Sequence, residues 1–452
     1  MRQELSKRGV DVRITVNKMR YVIIGNSIAG IGGIEGIRSI DKDGEIILIS
    51  EEPYRVYSRP LISYLLAGKI TDEKMYYREE DFYDKNGVKV LFGEKAKEID
   101  PKSKEVVTEK DTIRYDKLLL TVGGKPFIPP IKGIQKRGVF TFAGWDDVKA
   151  IGDFLRENDA KRSVIVGGGM IGIKSAEALK NLRFLAYANR RFATTLRECG
   201  LNVTIVELME RILPMALDEE GGKIYEEHLI ENGIDIITGD GIEEILGEDE
   251  VSGVKLKSGK RIECRIVIVA IGVHPNIELA ESAGLKVDRG IKVDRVMQTS
   301  KKDIYAAGDC VKSYNILLEE EMPIPILPLA YKGGFTAGVN MAGGKGRSEY
   351  HGGFPMNSIQ AFDLPLISLG MVNPDGGCEV LSARDGKNYK RLVLKDGKIF
   401  GYLAIGNIDR AGIVAGMMKE GMNVEKFKEA IMEDDFGLIY LPKDIRDNKL
   451  RG

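Results

Sequence analysis

The stretch YVIIGNSIAGIGGIEGIRS, residues 21–39, decides the fold. Its first four residues form an apolar run that is typical of a buried strand, a glycine-rich turn begins at Gly25, and the pattern predicts a helix over Ala29–Ser39. Residues 45–50, EIILIS, predict the next strand. A strand, a helix and a strand in this order indicate a parallel sheet that is covered on both faces.

The same unit recurs in the second third of the chain. The stretch VIVGGGMIGIKSAEALK begins at Val164. Its pattern predicts a strand over Ser163–Val166, a helix from about Met170 and a further strand over Asn202–Val206. The repetition indicates an internal duplication and predicts an α/β protein with two Rossmann-like domains.

The first turn predicts a dinucleotide site although its glycine pattern is incomplete. In such turns the first glycine allows the sharp bend, the second lets a pyrophosphate approach, and the third packs the helix against the strand. Gly25 and Gly30 hold the first and third places, and Ser27 holds the second. A serine hydroxyl can itself donate to a phosphate oxygen, and the helix N-terminus offers free N–H groups. Glu51, after the next strand, is expected to accept hydrogen bonds from an adenosine ribose.

The second turn carries all three glycines, Gly167, Gly169 and Gly172. Its next strand, VTIVE, ends at Glu207. A carboxylate at this place binds the 2′-hydroxyl of NAD and repels the 2′-phosphate of NADP, which favours NADH. Arg211 stands four residues farther on and is predicted to be too far away to recruit that phosphate.

The composition predicts a soluble globular protein of two to four domains. Of its 452 residues, 43% are hydrophobic and 30% are charged. The 67 basic and 68 acidic residues give a formal net charge of −1, so neither nucleic acid nor an anionic membrane is an expected partner. No apolar run approaches the roughly 18 to 20 residues of a membrane span. We therefore expect a cytoplasmic protein.

The cysteines and histidines predict no metal site. Cys199, Cys264, Cys310 and Cys378 are scattered without C-x-x-C spacing, and the three histidines are not clustered. All four cysteines are predicted to be buried and structural.

Three segments lie outside the two units. Residues 1–18 form an N-terminal extension. Residues 183–199, RFLAYANRRFATTLREC, are an insertion that is either an amphipathic docking helix or an extended crossover helix. From Tyr350 the pattern changes to short strands and turns, followed by predicted helices from Asp409 and Val424, and it indicates a third, α+β domain.

Further motifs resemble the pyridine nucleotide-disulfide oxidoreductase superfamily. TSKKDIYAAGDCV, residues 299–311, resembles its flavin-binding signature, whose final aspartate is Asp309 here, and LLLTVGGKPFIPPIKG and VAIGVHPN resemble the segments that leave its two nucleotide domains. YSRPLISYLLAGK, residues 57–69, together with MNSIQAFDLPLISLGM and AIGNIDRAGI, resembles the NADH:rubredoxin oxidoreductase and nitrite reductase flavoprotein branch.

This resemblance implies the domain organisation. It implies a glutathione-reductase-like α/β fold with a discontinuous FAD-binding domain (19–130 and 281–348), an NAD(P)-binding domain (131–280) and a C-terminal α+β interface domain (349–452). FAD is expected at the first turn and NAD(H) at the second, with NADP(H) disfavoured by Glu207.

The resemblance also implies the site residues. Those expected to bind FAD are Gly25, Ser27, Ala29, Gly30, Glu51, Arg59, Pro60, Ala96, Thr121, Gly123, Asp309 and Ala330. Those expected to bind NAD(H) are Gly167, Gly169, Met170, Ile171, Gly172, Glu207 and Gly272. Arg59 and Lys174 are the candidate catalytic residues, since each could favour negative charge on reduced flavin. For Lys174 the alternative is a lysine on an exposed helix face.

The expected activity is transfer of a hydride between NADH and FAD and of electrons between FAD and an external acceptor. Relatives that reduce disulfides carry a redox cysteine in the loop that matches residues 53–64, and this loop has none. A rubredoxin, a ferredoxin or an iron–sulfur subunit is the expected partner, and a homodimer is possible. The alternatives are a direct reductase of oxygen or sulfur species and a flavin-bearing subunit without catalysis.

Overall fold

The computed structural model describes residues 18–182, 200–343, 348–443 and 446–447. Within them, the first sheet has five parallel strands in the order β18-β7-β1-β2-β3. These strands are β1 (Arg20–Ile24), β2 (Glu45–Ser50), β3 (Val88–Phe92), β7 (Lys117–Leu120) and β18 (Ile304–Ala306). The last strand comes from a distant part of the chain, so the sheet is discontinuous in sequence.

Helices α1 (Ile28–Ile40) and α8 (Leu327–Met341) pack against each other beside this sheet. Their contact is made by glycines, because a Cβ on Gly32 would overlap the carbonyl oxygen of Tyr331, and one on Gly334 would overlap that of Ala29. The glycine content of the opening stretch thus allows two helix backbones to touch.

The second sheet repeats the first. Its described strands are parallel in the order β12-β11-β10-β16-β9. They are β9 (Val139–Phe140), β10 (Arg162–Val166), β11 (Asn202–Val206), β12 (Ile234–Ile237) and β16 (Ile266–Val269). The accompanying helices are α4 (Trp145–Glu157), α5 (Met170–Lys180) and α6 (Glu219–Glu231).

Each parallel sheet is accompanied by an antiparallel meander of three strands. The first meander is β4 (Ala96–Asp100), β5 (Glu105–Thr108) and β6 (Thr112–Arg114), and the second is β13 (Ile242–Leu246), β14 (Gly253–Leu256) and β15 (Arg261–Glu263). Two antiparallel ribbons complete this part: β8 (Gly124–Pro126) with β17 (Val273–Pro275), and β19 (Ser313–Asn315) with β20 (Glu320–Met322). Short helices are α2 (Ile62–Leu66), α3 (Phe82–Lys85) and α7 (Glu278–Ser282), besides 3-10 turns at Arg59–Leu61 and Asp72–Met75.

The C-terminal part is an antiparallel sheet in the order β21-β22-β25-β24-β23, followed by helices. Its elements are β21 (Met356–Ala361), β22 (Leu364–Gly370), β23 (Glu379–Asp385), β24 (Asn388–Lys395), β25 (Lys398–Ile405), α9 (Ala411–Glu420), α10 (Lys428–Ile431) and a 3-10 turn at Leu438–Tyr440. Several contacts join this sheet to α6. Among them, the Tyr225 hydroxyl donates to the carbonyl oxygen of Leu364 at 3.2 Å, His228 Nε2 lies 2.9 Å from that of Phe362, and Arg384 pairs with Glu220.

The predicted fold class is confirmed, but two predicted features need comment. The helix predicted from Val424 begins at Lys428 and has four residues. The reason is that Asn423 forms an antiparallel β-bridge with Lys398, and the Val424 N–H donates to the carbonyl oxygen of Gly397 at 2.7 Å. These contacts keep the stretch extended beside the turn between β24 and β25. The predicted insertion, 183–199, lies outside the described residues.

The cores follow from the sequence pattern. Strands β1, β2, β10 and β16 are buried almost throughout, as expected for parallel strands that are covered on both faces. Within the described ranges, no helix has both the length and the apolar character to cross a membrane.

Candidate functional site

The first glycine-rich turn is held in shape by the neighbouring strand. Gly25 has a φ of +113°, and a Cβ on it would overlap the carbonyl oxygen of Thr121. The Thr121 hydroxyl donates to the carbonyl oxygens of Ile24 and Gly25 at 3.0 and 2.8 Å. A Cβ on Gly30 would overlap the carbonyl oxygen of Gly25. The turn therefore requires glycine at both places.

The start of α1 is available to an anion. Ser27 is its N-cap residue, and the Ser27 hydroxyl makes no capping hydrogen bond. No acidic side chain stands in the first turn of the helix. The unpaired N–H groups and the positive end of the helix dipole therefore fit a phosphate group, and the serine hydroxyl adds a further donor.

The second turn has the same geometry. Gly167 has a φ of +109°, and a Cβ on it would lie 2.5 Å from the carbonyl oxygen of Ala270. A Cβ on Gly172 would overlap the carbonyl oxygen of Gly167. By contrast, a Cβ on Gly169 would meet nothing within 4 Å. The place where a pyrophosphate approaches such a turn is thus open.

Glu207 is buried against the second turn. One carboxylate oxygen accepts the N–H of Gly168 at 2.6 Å, and the other accepts the N–H of Met209 at 2.8 Å. Arg211 points elsewhere, because its guanidinium donates to the carbonyl oxygens of Leu217 and Pro214 at 3.3 and 3.4 Å. The carboxylate therefore stands in the second turn without a basic partner from Arg211.

Glu51 lies at the equivalent place of the first unit but in a different environment. Its side chain is 66% exposed and pairs with Lys95 at 2.6 Å. Ala96, which follows Lys95, starts β4. The Glu51 carboxylate is therefore accessible to a ribose from solvent, whereas the Glu207 carboxylate is already hydrogen-bonded to backbone N–H groups.

Asp309 lies where the starts of α1 and α8 converge. A Cβ on the preceding Gly308 would lie 3.0 Å from the Cβ of Ala29 and 3.7 Å from that of Ala330. Burial raises the pKa of the Asp309 carboxyl, and the positive charge of Arg59 opposes this shift. The fold thus brings together four predicted site residues from separate parts of the chain: Ala29, Arg59, Asp309 and Ala330.

Arg59 is fixed on two sides. It begins a short 3-10 helix whose next residue is Pro60. Its guanidinium donates to the carbonyl oxygen of Ala143 at 2.9 Å and to Glu52 at 2.8 Å. Glu52 also accepts the hydroxyl of Tyr57 at 2.7 Å. Sequence reasoning missed Glu52 and Tyr57, although Glu52 directly follows the predicted ribose acid.

Lys174 lies inside a cluster between α2, α5 and the C-terminal sheet. Its ammonium group donates to Glu177 and, at 2.9 Å, to the carbonyl oxygen of Gln360, and it lies 4.7 Å from the ring centroid of Tyr64. The side chain is 18% exposed, so the alternative of a lysine on an exposed helix face is wrong. Its predicted approach to flavin stays a prediction.

Glu177 joins three parts of the chain. Besides Lys174, this buried carboxylate lies 3.5 Å from the Lys69 ammonium group and 3.4 Å from the N–H of Phe362. Lys174 and Glu177 line a shallow, partly open depression together with Tyr64. Much of the Lys174 charge is therefore balanced by Glu177.

The other predicted residues lie at the same edges of the two sheets. Met170 and Ile171 begin α5 and are partly buried. Gly123 and Gly272 have φ values of +65° and +115°, and a Cβ on either would meet nothing within 4 Å. Both glycines flank the β8–β17 ribbon, so they leave open space near the two turns.

The cysteines differ from the prediction in one case. Cys264 and Cys310 are buried and free, and burial raises the pKa of each thiol to about 12. Cys378 is free and partly exposed, so its predicted burial is wrong; it precedes β23, an edge strand that faces solvent. Cys199 lies outside the described residues.

Two family models match the chain. The model described as pyridine nucleotide-disulphide oxidoreductase matches residues 19–325, and the model described as rubredoxin NAD+ reductase C-terminal domain matches residues 355–422.

Three similar proteins illustrate the range of relatives. The NAD(P)H nitrite reductase of Bacillus subtilis (strain 168) is 28% identical over 91% of this chain and 48% of that protein. The rubredoxin-NAD(+) reductase of Alcanivorax borkumensis is 27% identical over 91% of this chain and 99% of that protein. The solved structure of an NAD-dependent persulfide reductase from A. fulgidus is 28% identical, with a TM-score of 0.81 over 96% of this chain and 83% of that one. The chain spans about half the length of the Bacillus subtilis relatives that it matches.

Proposed function

The chain belongs to the pyridine nucleotide-disulphide oxidoreductase family, and from this premise we propose that it takes a hydride from NADH and passes electrons through FAD to an iron–sulfur partner. The observation that carries the proposal is the pair of glycine turns. Each stands at the carboxyl end of a parallel strand and opens a helix with an uncapped N-terminus. Two such turns in one chain fit two dinucleotides.

FAD is assigned to the first turn. The residues that would hold it are Gly25, Ser27, Gly30 and Glu51 at the turn and its ribose acid, with Asp309 at the flavin side. Support comes from Asp309, whose carboxyl is partly buried beside the start of α1. The proposed domain boundaries, 19–130 with 281–348, agree with a first sheet that contains the late strand β18.

NAD(H) is assigned to the second turn, in the domain over 131–280. The buried Glu207 would accept the ribose hydroxyls and repel a 2′-phosphate. Arg211 is engaged with carbonyl oxygens of its own loop and does not offset that repulsion. These contacts support NADH over NADPH.

The side chains supply positioning and charge. Bound FAD would supply hydride acceptance and release of single electrons. The turns would hold the two nucleotides in contact, and Arg59 would favour negative charge beside the flavin. The loop over residues 53–64 contains no cysteine, and the Cys310 thiol next to Asp309 stays protonated because burial raises its pKa. Electrons would therefore leave to an external acceptor.

An iron–sulfur electron carrier is the proposed acceptor. The C-terminal match to a rubredoxin reductase domain and the near full-length similarity to a rubredoxin-NAD(+) reductase support it. A cytoplasmic location and a possible homodimer belong to the same proposal. The three described cysteines are free, as is typical of a reducing compartment.

A second candidate is direct reduction of a persulfide. The similarity to a persulfide reductase over 96% of the chain favours it. The absence of a cysteine from residues 53–64 opposes it, since a thiolate is the nucleophile in exchange with sulfur species.

The acceptor assay distinguishes the two candidates. FAD-loaded protein and NADH are mixed without oxygen with oxidised rubredoxin, with a persulfide, or with ferricyanide as a general acceptor. We expect turnover with rubredoxin to exceed turnover with persulfide at least about tenfold. Ferricyanide reduction combined with faster persulfide turnover would contradict the proposed partner.

A further inference from the structure

We propose that Glu52 is a positioning residue that sets the charge beside the bound flavin by holding Arg59. The inference rests on the proposed function, in which FAD occupies the first turn and Arg59 faces its ring.

The contacts of Glu52 divide its carboxylate between two partners. One oxygen accepts the guanidinium of Arg59 at 2.8 Å, and the other accepts the hydroxyl of Tyr57 at 2.7 Å. The Glu52 side chain is 28% exposed and that of Arg59 is 43% exposed. The carboxylate thus helps to fix the direction of the Arg59 guanidinium.

The backbone of the next domain closes around this pair. Arg59 also donates to the carbonyl oxygen of Ala143 at 2.9 Å, and the N–H of Trp145 donates to the Tyr57 hydroxyl at 3.1 Å. A Cβ on Gly144 would lie 3.3 Å from both Arg59 and Glu52, so the backbone at Gly144 packs closely against the two side chains. The pair therefore joins the loop after β2 to the start of α4.

The charge balance gives Glu52 its effect. Its negative charge offsets the positive charge of Arg59, which also opposes the rise that burial causes in the pKa of the Asp309 carboxyl. Removing the charge of Glu52 while keeping its shape leaves the positive charge of the guanidinium less compensated. Because reduced flavin carries more negative charge than oxidised flavin, the reduced form gains stability.

The test is the flavin midpoint potential of a Glu52→Gln variant, measured by equilibration with a reference dye. We expect E52Q to raise the potential and to speed reduction by NADH several-fold. If Glu52 acts through Arg59, the same substitution shifts the potential much less in an Arg59→Gln background. A shift of equal size in both backgrounds, or no shift in either, would overturn the inference.

Glu45→Gln is the matched control. Glu45 pairs with Arg20 at 2.6 Å, and both side chains are 42% exposed. This pair lies at the amino ends of β1 and β2, opposite the edge that carries the turns. We expect E45Q to leave the potential unchanged, and an equal shift there would also overturn the inference. A wild-type protein that retains no FAD would instead refute the proposed function.

Discussion

At the scale of the residue, two acids at equivalent places have different surroundings. Glu51 is exposed and pairs with Lys95, whereas Glu207 is buried and bonded to the backbone of its own glycine turn. The sequence predicts both as ribose acceptors because each follows a strand. It does not predict the difference, since Lys95, the partner of Glu51, lies outside the motif, and the burial of Glu207 depends on packing.

Replacing Glu207 by Gln tests nucleotide choice. The amide keeps an acceptor for the N–H of Gly168 but loses the charge that repels a 2′-phosphate. We expect kcat/KM for NADH to fall about tenfold or more, and the ratio of NADPH to NADH activity to rise. The comparison is made in steady-state assays with ferricyanide as acceptor. An unchanged ratio would show that Glu207 does not select the nucleotide.

Alkylation tests the thiol environments. Burial raises the pKa of Cys264 and Cys310 to about 12, so at pH 8 only about one thiol in ten thousand is a thiolate. In a Cys199→Ser background we expect iodoacetamide to label Cys378 first, as located by mass spectrometry. Fast labelling of Cys310 in the folded protein would contradict the account of an inert thiol beside Asp309.

At the scale of the element, glycines decide how α1 and α8 meet. The sequence shows their number but not their purpose, because the helix partner lies about 300 residues away. The strands β2 and β11 begin and end at the predicted residues, since buried apolar runs identify parallel strands without any partner. The helix predicted from Val424 was wrong because the Val424 N–H donates to Gly397, in the turn between β24 and β25.

A Gly334→Ala substitution tests this helix contact. Its Cβ would overlap the carbonyl oxygen of Ala29, next to the predicted flavin site. We expect a loss of about 1–3 kcal/mol in unfolding free energy and weaker FAD retention. Gly416→Ala in α9 is the matched control, because its Cβ would meet nothing within 4 Å. The control is expected to gain about 0.5–1 kcal/mol in urea unfolding. Equal effects of both variants would contradict the account.

At the scale of the whole molecule, one α/β unit occurs twice, and an antiparallel sheet with helices follows it. Family, fold and turns were predictable because each motif is local and follows a strand. The contacts between parts were not: Arg59 with Ala143, and Glu177 with Phe362, join segments that share no pattern. These contacts depend on how the domains are packed.

Anaerobic stopped-flow absorbance tests the central claim most directly. FAD-loaded protein is mixed with NADH and, separately, with NADPH, and the bleaching of the flavin is followed. The account predicts rapid bleaching by NADH and much slower bleaching by NADPH, since the Glu207 carboxylate is expected to repel a 2′-phosphate. Failure of both nucleotides to bleach the bound flavin would contradict the claim that a nucleotide bound at the second glycine turn passes a hydride to FAD bound at the first.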